Sequence, residues 1–157
     1  MPIQVRLPDD SVRELPDGAT GTTLAESIGP RLAEAAFAIR LDGGKLLDLA
    51  TPLVEGPKVS IVTSKDPDAL DLIRHSTAHL LAQAVKHLFP EAKVGIGPTI
   101  EDGFYYDFLV EKPFTPEDLV AIEAEMRRIV EADLPVQREE LSRNDAVARF
   151  QAMGEHL

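Results

Sequence analysis

IQVRLPDDSVREL, residues 3–15, has the pattern of a β-hairpin. Ile3-Gln4-Val5-Arg6-Leu7 alternates apolar and polar side chains, as a strand with one buried face does. Pro8-Asp9-Asp10 supplies turn residues, and Val12-Arg13-Glu14-Leu15 returns as the second strand. Downstream, Thr22 or Thr23 is placed to cap a helix, with Glu26 three residues after Thr23 at capping-box spacing. Leu24, Ala25 and Ile28 are its expected buried stripe. Gly29-Pro30 ends it, and residues 31–36 add another turn or two of helix. Residues 37–41, 45–49 and 59–62 read as three further strands, the first two joined through Asp42-Gly43-Gly44.

The order β-β-α-β-β-β within about 60 residues sits at the small end of what a single core can support. It fits the β-grasp arrangement of ubiquitin-like domains, so residues 1–63 are expected to be one domain. Ser64-Lys65-Asp66-Pro67-Asp68 is a polar, Pro-containing boundary. Asp68 is placed to cap a long helix over 69–89, stopped by Pro90. Residues 93–96 and 104–109 are expected strands, with Asp102-Gly103 as a turn signal before the second. Thr115-Pro116-Glu117-Asp118 opens a helix to 132 that should bury Leu119, Ile122, Met126 and Ile129. Residues 136–141 read as another strand, and Ser142-Arg143-Asn144-Asp145 opens a last helix running to Met153, with Gly154 at its C-terminal cap. The expected fold class is α+β: a β-grasp domain over 1–63, then an incomplete α/β domain over 64–157.

Composition narrows the classes of function. The chain has 157 residues, of which 44% are hydrophobic, enough for packed cores. With no cysteine it has no disulfide, thiolate nucleophile or Cys-based zinc site. No stretch approaches the roughly 18 consecutive apolar residues of a membrane helix, and MPIQVRLPDD lacks a signal-peptide core; a cytoplasmic chain is expected. Sixteen basic against 27 acidic residues give a net charge of −11. Residues 1–65 hold 9 acids and 7 bases, whereas 66–157 hold 18 and 9. Non-specific binding to nucleic acid is therefore disfavoured, and any RNA must be met through local basic spots.

Chemistry concentrates in His75-Ser76-Thr77-Ala78-His79. Residues four apart on a helix lie one turn apart on the same side, so both imidazoles face the same way. That direction lies opposite the apolar arc of Ile73, Thr77, Leu80, Leu81, Ala84, Val85 and Leu88, so the pair can line a cleft. Paired imidazoles can bind a divalent metal or share proton-transfer work. Ser76 stands where a zinc protease of the His-Glu-x-x-His type needs its glutamate, and only His87, His156 and carboxylates remain as further ligands. No complete metal site is expected, with His75 and His79 at most partial ligands. The plainer reading is a solvated polar helix face. A second feature is Gly95-Ile96-Gly97-Pro98 followed by Asp102-Gly103-Phe104-Tyr105-Tyr106-Asp107. Glycines admit close backbone approach, and strand alternation would send Tyr105 and Tyr106 to opposite faces. Here the plainer reading is a hairpin with core aromatics. Arg40, Lys45, Lys58 and Lys65 are candidates for a basic patch, against a merely mixed surface. Glu123, Glu125, Arg127 and Arg128 read as an ordinary solvated helix face.

HSTAHLLAQAVKHLFPEAKVGIGPTIEDGFYYDF (75–108) closely resembles the start of the editing domain of bacterial threonyl-tRNA synthetases. Residues 1–63 resemble the TGS domain of that family, and LSRNDAVARFQAMGE (141–155) is similar to the helix that comes next. The resemblance implies proofreading. A pocket selecting threonine also admits serine, and the missing methyl is worth only about 1–3 kcal/mol. A second site therefore hydrolyses seryl-tRNA. Carried over by position, His75 and His79 would face the terminal adenosine and seryl ester, with Tyr106, Asp107 and Gly97 lining the cleft. A positioned water would attack, helped by the histidines and the terminal ribose hydroxyl. The family completes this cleft with a Cys-x-x-x-His stretch and a lysine further along, neither of which is in these 157 residues. ATP, magnesium and zinc belong to the family's catalytic core, also outside this sequence, so no cofactor is expected here. By that likeness the chain is a portion of a longer, homodimeric tRNA-binding enzyme and is inactive alone. Two alternatives stay open: a free-standing β-grasp module binding RNA or protein, and a small His-dependent metal hydrolase.

Overall fold

The computed structural model describes residues 1–155, and His156, one of the spare ligands considered above, lies outside the described residues. The chain divides into two compact units, residues 1–73 and 74–157. The division falls within the first turns of a helix rather than in the polar stretch at 64–68.

In the first unit β1 (Ile3–Arg6) and β2 (Val12–Leu15) form the expected antiparallel hairpin, with Val5 opposite Arg13. Helix α1 (Gly21–Ile28) follows, then α2 (Pro30–Ala35). Its cap is Thr20, not Thr22 or Thr23. Thr20 is extended, its hydroxyl accepts from the Thr23 amide, and the Thr23 hydroxyl accepts from the Thr20 amide, which closes a capping box without Glu26. Leu24 and Ala25 are buried as expected, but Ile28 is 37% exposed because Gly29 ends the helix there. β3 (Ala36–Leu41) is the centre of an antiparallel trio with β4 (Lys45–Leu47) and β5 (Val59–Thr63) on either side. A parallel bridge from Arg6 to Lys58 brings β1 alongside the approach to β5. The spatial order is then β2-β1-β5-β3-β4, a β-grasp sheet.

Val5, Leu24, Ile39, Val59 and Val62 expose no surface at all. Burying each such side chain contributes about 1.5–3 kcal/mol. Gly21 is needed in this core, since a Cβ there would lie 2.5 Å from Ile39 Cγ2. Half of the candidate basic patch is paired, while Lys45 and Lys65 are exposed. Arg40 pairs with Asp68 at 2.8 Å, and Lys58 pairs with Asp10 at 2.8 Å, leaving a mixed surface.

Helix α3 (Ala69–Leu88) carries the histidines and stops before Pro90, whose ring cannot continue it. Within residues 74–155 it is followed by β6 (Lys93–Val94), β7 (Thr99–Ile100), β8 (Gly103–Phe104) and β9 (Phe108–Leu109). β6 pairs with β9 and β7 with β8, both antiparallel. The expected strands over 93–96 and 104–109 are thus each cut short. Pro98 has no amide hydrogen to give a ladder, and the irregular stretches 95–98 and 105–107 separate the two small sheets.

Helix α4 (Pro116–Glu131) begins with a capping box between Thr115 and Asp118. It buries Ile122 fully and Met126 and Ile129 in part, whereas Leu119 is 59% exposed. Glu125 is the surprise on this helix: it is buried, at 6% exposure. The strand expected over 136–141 does not form. Val136 is 92% exposed, so no apolar face exists there to hold a strand. Helix α5 (Arg143–Ala152) is capped by Ser142 bonding to Asp145, and it closes on Gly154 in the left-handed region.

Candidate functional site

His75 and His79 are both exposed on α3, one turn apart, on the side of the helix that also carries the buried Ala78 and Ala82. Their Nε2 atoms are 3.1 Å apart, with ring centroids at 4.7 Å and planes inclined at 79°. Contact between two nitrogens needs a proton on one and a lone pair on the other. Which Nε2 donates depends on the tautomers of the two rings. The rings are neither splayed nor sealed in the core.

A second pair forms at the hairpin. Tyr106 is half-buried, stacked on Phe108 with centroids 5.0 Å apart, while Tyr105 is 47% exposed. Gly97 lies beneath the Tyr106 ring, and a Cβ on Gly97 would sit 2.1 Å from its Cδ2. Only glycine permits that approach. Asp107 closes the base of the excursion through its backbone. Its carbonyl accepts from the Gly95 amide at 2.8 Å, and its amide donates to the Ile96 carbonyl at 3.0 Å. Its carboxylate side is exposed. Among the described residues no hydrogen bond joins Tyr106 or Asp107 to either histidine.

The link between the two groups is Arg74, which the sequence reading passed over. Its Nη1 donates to the carbonyls of Ile100 at 3.2 Å and Glu101 at 2.7 Å. The third histidine is also engaged. His87 Nδ1 lies 2.9 Å from Glu125 Oε1, and Arg128 reaches Glu125 Oε2 at 3.1 Å, tying α4 to α3. Glu125 is therefore a buried anchor and not part of a solvated face. Its position was legible in principle, because it falls three residues after Ile122 on the core-facing stripe.

Among the described residues no group of three or more His or acidic side chains is arranged to hold a metal. His75 and His79 supply two of the four donors that a structural zinc takes. An apolar groove of about 460 Å³ runs between Phe89, Ala92, Val110 and Phe114, but none of the candidate residues lines it. Among the described residues no helix is long and apolar enough to cross a membrane.

The sequence profile of the TGS domain matches residues 3–63. The chain is 59% identical over 154 residues to the threonine–tRNA ligase of Citrifermentans bemidjiense, covering 98% of this chain and 24% of that protein. It is 60% identical over 153 residues to that of a Geobacter species and 57% identical over 153 residues to that of Maricaulis maris, again covering 98% of this chain and 24% of each. The chain thus spans about a quarter of the length of the curated relatives it matches. The TGS domain thus accounts for residues 3–63, and the chain as a whole is similar to the N-terminal quarter of threonine–tRNA ligases.

Proposed function

We propose that these residues serve as the N-terminal part of a threonine–tRNA ligase and that the second unit contributes to clearing serine wrongly attached to the threonine tRNA. The observation that carries this reading is sequence identity of about 60% running through both units in one alignment. The whole enzyme would join threonine to its tRNA in the cytoplasm as a homodimer. ATP, magnesium and zinc would act in a core outside these residues.

In the hydrolysis, a water oxygen bonds to the ester carbonyl carbon while the bond to the ribose oxygen breaks. The water gives up a proton and the leaving ribose oxygen gains one. His75 and His79, with Nε2 atoms 3.1 Å apart, are suited to moving a proton between those oxygens, a role worth about 10²–10⁴-fold in rate. Tyr106, held between Gly97 and Phe108, offers a fixed ring against which the terminal adenosine or the seryl group can be oriented. Gly97 and Asp107 would line the same cleft. The acidic balance of this unit supports binding of an acceptor end at a few points and disfavours wrapping of the duplex.

The experiment replaces the N-terminal quarter of a relative with these 157 residues and follows deacylation of seryl-tRNA. His75→Ala and His79→Ala are each expected to lower deacylation at least about 100-fold while threonine charging stays within twofold. Unchanged deacylation in both variants would refute the assignment. The 157-residue chain alone is expected to give no multiple-turnover deacylation.

A further inference from the structure

We propose that Arg74 is a positioning residue that sets the glycine-tyrosine hairpin against the histidine pair; this rests on the proofreading reading above. The excursion from Gly95 to Asp107 has little core of its own. The strand pair within it, β7 with β8, is two residues long, and Ile96, Ile100 and Tyr105 are all exposed. It is fixed at two places. At its base, the Gly95 amide donates to the Asp107 carbonyl and the Asp107 amide to the Ile96 carbonyl. At its tip, Arg74 Nη1 directs its two hydrogens at the consecutive carbonyls of Ile100 and Glu101, 26 and 27 residues away in sequence. Gly97 and Tyr106 lie on the two legs between these anchors.

Arg74 immediately precedes His75, so the tip is anchored to the same helical turn that starts the imidazole pair. The guanidinium is planar and permanently charged, and hydrogen bonds from a charged donor are about twice as strong as neutral ones. A tip held this way cannot swing relative to His75 and His79 without breaking both bonds. Arg74 itself touches no reacting atom; it acts through the legs. A displacement of about 1 Å in a positioned group can cost about 100-fold in rate.

Two measurements test it. In the 157-residue chain, Arg74→Ala is expected to speed amide exchange at Gly95 and Asp107 at least about tenfold, with the α4 amides of Ile122 and Met126 unchanged. In the chimeric ligase, Arg74→Ala is expected to lower kcat for seryl-tRNA deacylation about 10- to 100-fold with KM within twofold, and Arg74→Lys, which can still donate to both carbonyls, to recover most of it. If the Ala variant loosens α4 as well, Arg74→Met, which keeps the stem and removes the donors, takes its place. Wild-type exchange at Gly95 and Asp107, or wild-type kcat where His79→Ala abolishes deacylation, overturns the proposal. Full deacylation in His79→Ala sinks the proofreading reading instead, and the exchange measurement still judges the anchor.

Discussion

Residues 1–73 close around Val5, Leu24, Ile39, Val59 and Val62, large side chains drawn from strands and a helix and wholly withdrawn from water. Residues 74–155 gather around Ala84, Val85, Ala92 and Ile122, where the buried side chains are mostly small. Half-buried Phe89, Phe108, Phe114 and Met126 pack around that centre, and directional polar anchors add to it. Lys86 donates to the carbonyls of Pro90 at 2.8 Å and Ala92 at 3.0 Å and pairs with Glu155 at 2.7 Å. His87 and Arg128 meet on Glu125, and Arg74 holds the hairpin tip. Apolar burial is non-directional and rewards any compact arrangement, whereas a hydrogen bond rewards one geometry. The unit carrying the candidate chemistry is the one whose parts are fixed in place by bonds with a defined direction.

The contrast is easiest to break by removing a core side chain. Leu24→Ala should cost about 2–5 kcal/mol in urea unfolding followed by circular dichroism. Both tyrosines lie in the second unit and the chain has no tryptophan, so tyrosine emission reports on residues 74–155 alone. Its midpoint should stay put in Leu24→Ala; a parallel shift would show that the two units unfold as one. Gly97→Ala should cost about 1–3 kcal/mol, because the new methyl must push Tyr106 off Phe108. That loss should appear in the tyrosine transition and as altered ring-current shifts of Phe108.

Glu125→Gln sharpens the polar side of the comparison. It keeps the shape and removes the charge, and should cost about 1 kcal/mol, since His87 and Arg128 are partly in water and their attraction to Glu125 is screened. A stability gain would mean that burying the carboxylate outweighs its two partners. The smallest effect is expected at the first hairpin turn. The Ser11 hydroxyl and amide both donate to Asp9 and hold its carboxyl below the ordinary carboxylate range. A group depressed on folding adds stability above its unfolded value and loses it as pH falls through its folded value. Ser11→Ala should raise the Asp9 midpoint in a carboxyl NMR titration and move that loss to higher pH; an unmoved midpoint would deny the contact.

The β-grasp unit was legible because its signals are local. Alternation in 3–7, turn residues at Pro8-Asp9-Asp10 and Asp42-Gly43-Gly44, and a Gly-Pro break each act within a few residues of where they stand. One displaced detail, the cap at Thr20, differs by two residues from Thr22 because Gly21 carries no side chain and fits inside the core against Ile39. The second unit was harder to read. Its strands are two residues long, too short for a period of two to establish itself, and Pro98 cuts one of them. Residues 136–141 have the composition of a strand but no partner in these residues to pair with. At the site, the histidine pair followed from helical spacing alone. The role of Arg74 did not, because its acceptors are backbone carbonyls more than two dozen residues away, which leave no mark in side-chain composition. Glu125 was misread because charge patterning treats every Glu on a helix as solvated.

The amide of Gln4 faces away from β2 and donates to Glu55 Oε1 at 2.8 Å. A carboxylate from the loop ahead of β5 thus occupies a donor that a stray strand would otherwise claim, and it adds negative charge at that rim. Unsatisfied edges of this kind are where chains recruit one another into fibres. The contact gives the small sheet a guard against self-templating beside the bridge from Arg6 to Lys58.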